Sequence, residues 1–157
     1  MADAVDALVQ RLRIVLGGLM AGLMAFAAVS LTIGPLSRNP DPTLRSALLG
    51  VLVLLCLGEA IAYRLVHQQI VKRLLARSSE LRGVADPSAR TLPEYQQLFM
   101  IRAGLTEGPG FFAVIVHLLT GSLVALVVVA LALALLASQL PSRERVRELA
   151  QNALDAT

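Results

Sequence analysis

Two carboxylates lie inside long apolar runs, Glu59 in LLCLGEAIAYR and Glu107 in RAGLTEGPGFF. A charge carried into hydrocarbon costs roughly 3 kcal/mol or more at a helix centre, so such a group faces a bundle interior, pairs with a cation or takes a proton. Each acid has an arginine five residues away, Arg64 after Glu59 and Arg102 before Glu107. At about 1.5 Å per residue, five residues place each acid about 7–8 Å from its arginine along the helix axis. Antiparallel neighbours bring the two acids to one depth, since GEAIAYR read inward mirrors RAGLTEG read outward. The residue types support three chemistries. Glu59, Arg64, Arg102 and Glu107 can form a polar network that locks two helices together. One carboxyl can instead hold a proton or a cation on a transport path. The same groups can also line a pocket for a lipid or quinone-like ligand, or reach the membrane interface with no role at all. The network is the expectation, with Glu107 paired to Arg64.

Gly108-Pro109-Gly110 follows the second acid directly. Pro109 has no N–H, so the Leu105 carbonyl loses its helical donor, and the glycines let a helix or a water approach the freed group. Gly104 and Gly108 make a G-x-x-x-G pair, as do Gly18 and Gly22 on the first span, where Ala21, Ala25 and Ala28 extend a small-residue face. Such faces allow helix backbones to pack closely, so these six positions (Gly104, Gly108, Pro109, Gly110, Gly18 and Gly22) are expected to serve kinking and packing. Thr106, Gly110, Ala113 and His117 share one stripe, with His117 expected at the headgroups.

Little else in the chain carries chemistry. Cys56 is the single cysteine and sits in an apolar run, where packing is its expected role. His67 and His117 are isolated from each other and from other ligand types, so no metal and no cofactor is expected. No nucleophile–base pair or phosphate-binding loop accompanies the acids, and no enzyme is expected.

The elements that position the acids follow from composition. Of 157 residues, 56% are hydrophobic and 16% charged, with mean hydropathy +0.70. A soluble domain of this length needs more polar surface, so the chain reads as an all-α polytopic membrane protein, a single membrane domain over 1–157. A crossing needs about 20 apolar residues, which gives spans of about 14–36, 46–64, 99–119 and 123–140 around a loop of about 65–98. The last two come from 35 uncharged residues, Gly108 to Ser142, split at Thr120-Gly121-Ser122. Asp3 and Asp6 ahead of 24 uncharged residues argue for an uncut first helix rather than a signal peptide.

Charge asymmetry supports four crossings. With four, twelve of the fourteen Lys and Arg residues lie on one side, and only Arg38 and Arg45 lie on the other. With three, Arg143, Arg145 and Arg147 change sides and the bias weakens. The positive-inside rule then gives cytoplasmic N- and C-termini in a cell (inner) membrane.

Outside the spans, Val5, Leu8, Val9 and Leu12 predict a short amphipathic helix, and Val146, Leu149, Ala150, Ala153 and Leu154 predict another at the C-terminus. Lys72, Arg73, Arg77 and Arg82 form a basic face on the extension of the second span, suited to anionic lipids. Gly83 to Arg90 reads as a loop, followed by a capping box of Thr91 and Glu94 with Pro93 in the first turn. Tyr95 and Phe99 are expected as interfacial aromatics. A loop this short cannot build its own core. The bilayer, anionic lipids and other membrane subunits or a second copy are the expected partners, and nucleic acid is not.

Glu107 to Leu119, E-x-x-x-F-F-A-V-I-V-H-L-L, resembles the acid-bearing helix of rotary-ATPase proteolipid subunits. Its acid lies nearer the basic edge than the pattern requires, so no ion-binding role is carried over. Arg102-Ala103, Glu107-Gly108 and Phe111-Phe112 on a four-span chain resemble small uncharacterised bacterial four-helix integral membrane proteins, which implies an inner-membrane location and no established activity. An accessory, scaffolding or assembly component of a membrane complex is the expected role. A small ion- or proton-coupled transporter or channel using Glu59 and Glu107 is the alternative.

Overall fold

A computed structural model describes residues 2–36, 41–81, 88–142 and 144, with side chains at 6–36, 41–66, 68–69, 96–142 and 144. Among the described residues the chain is all helical: α1 (Ala2–Ile33), α2 (Pro42–Leu81), α3 (Ser88–Thr120) and α4 (Leu123–Ser138). Three stretches, Asp6–Ile33, Pro42–Val66 and Gln96–Thr120, are long and apolar enough to cross a membrane. At 16 residues, α4 is about 24 Å long, short of a hydrocarbon core of about 30 Å.

The breaks between helices have local causes. Gly34 closes α1 with φ +74°, its N–H donating to the Ser30 carbonyl at 3.0 Å. Gly121 closes α3 in the same left-handed conformation, φ +66°, with its N–H 2.7 Å from the His117 carbonyl oxygen. Only glycine adopts that conformation at no steric cost. The expected hairpin therefore falls at Gly121-Ser122. Asp41 caps α2: its Oδ1 accepts from the Thr43 N–H at 2.8 Å, and Pro42 occupies the first helical position.

Within the bundle α3 is the hub, touching each of the other three helices; α1 also touches α4, while α2 packs mainly on α3. Buried positions on α3 recur every three or four residues, from Phe99 and Ala103 through Thr106, Gly110, Ala113 and His117 to Thr120. Facing them are Leu8, Leu12, Leu16 and Leu23 of α1 and Ala125, Val129, Ala132 and Leu136 of α4. Small residues on α3 and α4 let the backbones approach, which is what drives helix association where lipid is as apolar as leucine.

Several local expectations change. The N-terminal amphipathic segment is not a separate surface helix, because α1 is continuous and Leu8, Val9 and Leu12 are buried. Their spacing runs in phase into Leu16, and no glycine or proline breaks the helix before Gly17. Phe99 is buried in the core rather than turned outward, because it lies on the packed side of α3. The third helix begins at Ser88, three residues before the expected cap at Thr91, since Ser88-Ala89-Arg90 contains no helix breaker. Arg82 and the C-terminal pattern from Val146 to Leu154 lie outside the described residues. Lys72, Arg73 and Arg77 lie on α2, without described side chains.

Candidate functional site: a polar-ended cavity between α2, α3 and α4

α2, α3 and α4 line a cavity of about 390 Å³ that is open on one side. Its walls follow the helical repeat: Cys56, Glu59, Ala60 and Tyr63 from α2, Arg102, Leu105, Thr106 and Pro109 from α3, and Val128, Leu131, Ala132 and Leu135 from α4, with Gln139 at its C-cap. Because α2 runs opposite to α3, and α4 opposite to α3 again, the polar residues collect at one end. Tyr63, Arg102 and Gln139 mark that end, with Glu59 and Thr106 a turn deeper. Cys56, Pro109, Val128 and Leu131 line the apolar end.

Thr106 organises the polar end. Its hydroxyl donates to the Arg102 carbonyl at 3.1 Å and accepts from Gln139 Nε2 at 3.2 Å. The same hydroxyl lies against the Glu59 carboxyl, which is half-buried. Gln139 is only 7% exposed, and its Oε1 is buried with no hydrogen-bond partner. The Arg102 guanidinium carbon lies 5.0 Å from the centre of the Tyr63 ring, a cation–π contact between α3 and α2, worth about 0.5–2 kcal/mol depending on desolvation.

Of the four residues expected to form an ion-pair network, only Glu59 and Arg102 line this cavity. Arg64 is exposed and Glu107 half-buried, and neither belongs to the wall. No ion pair joins any two of the four, Glu107 and Arg64 included. Glu59 meets Thr106 in place of an arginine, and Arg102 meets an aromatic face in place of a carboxylate. Depth matches the expectation, since Thr106 and Glu107 are consecutive, but one residue along a helix is a turn of about 100°.

The glycine and proline residues also divide. α3 runs unbroken through Gly108-Pro109-Gly110. At Gly110 a Cβ would lie 3.0 Å from Leu23 Cδ2 and 3.1 Å from the Ala132 Cβ, so three helices cross there. Gly104, Gly108 and Gly18 have nothing within 4 Å of an added Cβ, and Gly22 meets only the Phe111 ring edge at 3.9 Å. Gly18, Gly104 and Gly108 therefore face outward, and Gly22 lies at the edge of the α1–α3 contact. His117 is buried, its Nδ1 donating to the Ser122 carbonyl at 3.2 Å, and it braces the α3–α4 hairpin.

Tyr63 and Gln139 were not singled out by residue type. Gln139, a lone amide closing an apolar run just before Pro141, was the available signal. Among the described residues, no three of His, Cys, Asp and Glu are grouped to hold a metal ion. Compared with known proteins, the chain matches no family model, no curated protein and no solved structure.

Proposed function

We propose that the protein is a non-enzymatic integral membrane protein, an accessory or assembly component that docks to other transmembrane helices or to a second copy through α1. The observation that supports this is the outward face of α1. Gly18, Ala21, Gly22, Ala25 and Ala28 are all exposed, and an added Cβ at Gly18 meets nothing. Small residues at that spacing give no return facing lipid alone and allow close approach of another helix. In this reading all four helices lie in the bilayer of a bacterial inner membrane, with α4 drawn in by its hairpin with α3. The Arg-rich ends face the cytoplasm, where Lys72, Arg73, Arg77 and Arg82 meet anionic lipid. The resemblance to small four-helix bacterial membrane proteins agrees with it.

Native purification in a mild detergent, followed by cross-linking, tests the proposal. The wild-type chain should run as an oligomer or with companion subunits, and Gly18→Leu with Gly22→Leu should release single chains that remain folded. A wild-type chain that is monomeric and companionless sinks it.

A second reading, a proton- or ion-coupled transporter, has one observation in its favour: Glu59 faces a cavity together with Thr106. It requires ion flux in proteoliposomes that Glu59→Gln abolishes while the protein still folds. Flux that is absent from the wild-type protein, or unchanged by Glu59→Gln, removes it.

A further inference from the structure

The geometry points to a binding site for a neutral, hydroxyl-headed single-chain amphiphile in the cavity between α2, α3 and α4. A monoacylglycerol or long-chain alcohol belongs to this class. Four observations carry it, none of which depends on the docking face of α1.

The cavity has the size of a small-molecule site, about 390 Å³, within the roughly 300–1,000 Å³ such pockets occupy. α3 bridges α2 and α4, which are not packed on each other to any extent, so the cavity opens sideways into the apolar surroundings of the helices. An entrant therefore comes from the lipid phase.

The exposed lining of the cavity is almost wholly apolar, and its polar residues are gathered at one end. Tyr63, Arg102 and Gln139 occupy the end near the basic helix termini, and Cys56, Val128 and Leu131 occupy the far end. A molecule with one polar and one apolar end fits this arrangement in one orientation, with its head at the depth where lipid heads lie.

The third observation is an imbalance of hydrogen-bonding groups. Gln139 Oε1 is an acceptor without a donor. The Leu105 carbonyl has lost its helical donor because Pro109 stands four residues on, and both residues line the cavity. Glu59 adds two more acceptor oxygens. An occupant that satisfies these groups must donate hydrogen bonds.

Charge decides between donors. Glu59 and Arg102 line the same end, and Arg102 already rests on the Tyr63 ring. The wall carries one formal charge of each sign, so neither an anionic nor a cationic head is selected. A hydroxyl donates without a charge.

The chain contains no tryptophan, so one introduced by substitution is a unique reporter. Leu131→Trp places it on the cavity's apolar wall at a position 58% exposed, and Met24→Trp places it on α1 at a position 49% exposed, so bulk lipid reaches both and only a bound ligand adds quenching at the first. Leu23 and Ala132 both meet Gly110, which puts the two reporters at similar depth. Each variant is reconstituted in phosphatidylcholine vesicles containing a small fraction of chain-brominated monoacylglycerol, whose bromines quench tryptophan on contact. The expected result is quenching at Leu131→Trp about threefold or more above that at Met24→Trp, falling to parity with the di-O-methyl ether of the same lipid. Adding Gln139→Leu should also weaken the preference; the ether comparison needs no such variant and stands if that one fails to fold. Equal quenching at both reporters overturns the proposal, as does a preference that survives methylation. Stronger preference for brominated oleylamine or oleate overturns it too, and makes the site one for a lipophilic ion.

Discussion

Replacing Gly110 with leucine is expected to be the most damaging single change in the bundle. Gly110 lies where α1, α3 and α4 cross, and a Cβ there already meets Leu23 Cδ2 at 3.0 Å and the Ala132 Cβ at 3.1 Å. Leucine 23 can swing its methyl groups aside, but Ala132 has no rotamer to give, so α4 must move. Overpacking a close-packed contact costs about 1–3 kcal/mol and sometimes more, and a whole leucine side chain between three helices belongs at the upper end. Gly110→Ala should cost about 1 kcal/mol, since only a few tenths of an ångström must be found. Gly108→Ala is the control. It has the same sequence setting but open space around its added Cβ, and alanine favours the helix by roughly 1 kcal/mol over glycine. Unfolding in mixed micelles titrated with a denaturing detergent measures all three. Equal tolerance of alanine at 108 and 110 would mean that the helices do not cross at Gly110.

The second large effect is expected at Thr106→Val. Valine keeps the shape of the side chain and removes the hydroxyl that receives Gln139 Nε2 and lies against Glu59. Gln139 would then hold a buried amide with neither end satisfied, because its Oε1 already lacks a partner. Leaving a buried polar group unpaired costs about 1–3 kcal/mol, more than the hydrogen bond itself contributes. Thr106→Ser, which retains the hydroxyl, should cost less than about 1 kcal/mol. Adding Gln139→Leu to Thr106→Val should recover part of the loss, and the double-mutant cycle reads the coupling directly. Losses at the two positions that simply add would show that the Thr106–Gln139 bond couples nothing.

Both effects concern positions whose importance was unevenly visible in the sequence. Gly110 stood in a run of three breakers and shared a stripe with Thr106, whereas Gly108 shared one with Gly104, but nothing in the sequence showed which stripe meets another helix. An outward glycine and a crossing-point glycine differ only in what lies opposite. Thr106 was placed on the correct stripe with Gly110, Ala113 and His117, all of which are buried. Helical periodicity alone gave that face. His117 lies near a helix end as its position suggested, but the Gly121 turn folds α4 back over it and buries it, which no count of residues shows.

Local chemistry determined a good deal by itself. Apolar length and composition dictate helices, the three stretches long enough to cross a membrane among them. Gly34 and Gly121 end α1 and α3, because only a residue without a Cβ takes their positive φ readily. The shared depth of Glu59 and the Thr106–Glu107 pair follows from counting residues on antiparallel helices. Tertiary structure decided rotation. A helix presents a new face every residue, and the choice between Thr106 and Glu107 as the neighbour of Glu59 is a turn of about 100° that no count of residues fixes. That turn is set by how α3 seats against α1 and α4 at Gly110, through contacts far apart in sequence. It converts an expected ion-pair lock into a cavity with Glu59, Tyr63, Arg102, Thr106 and Gln139 at one end.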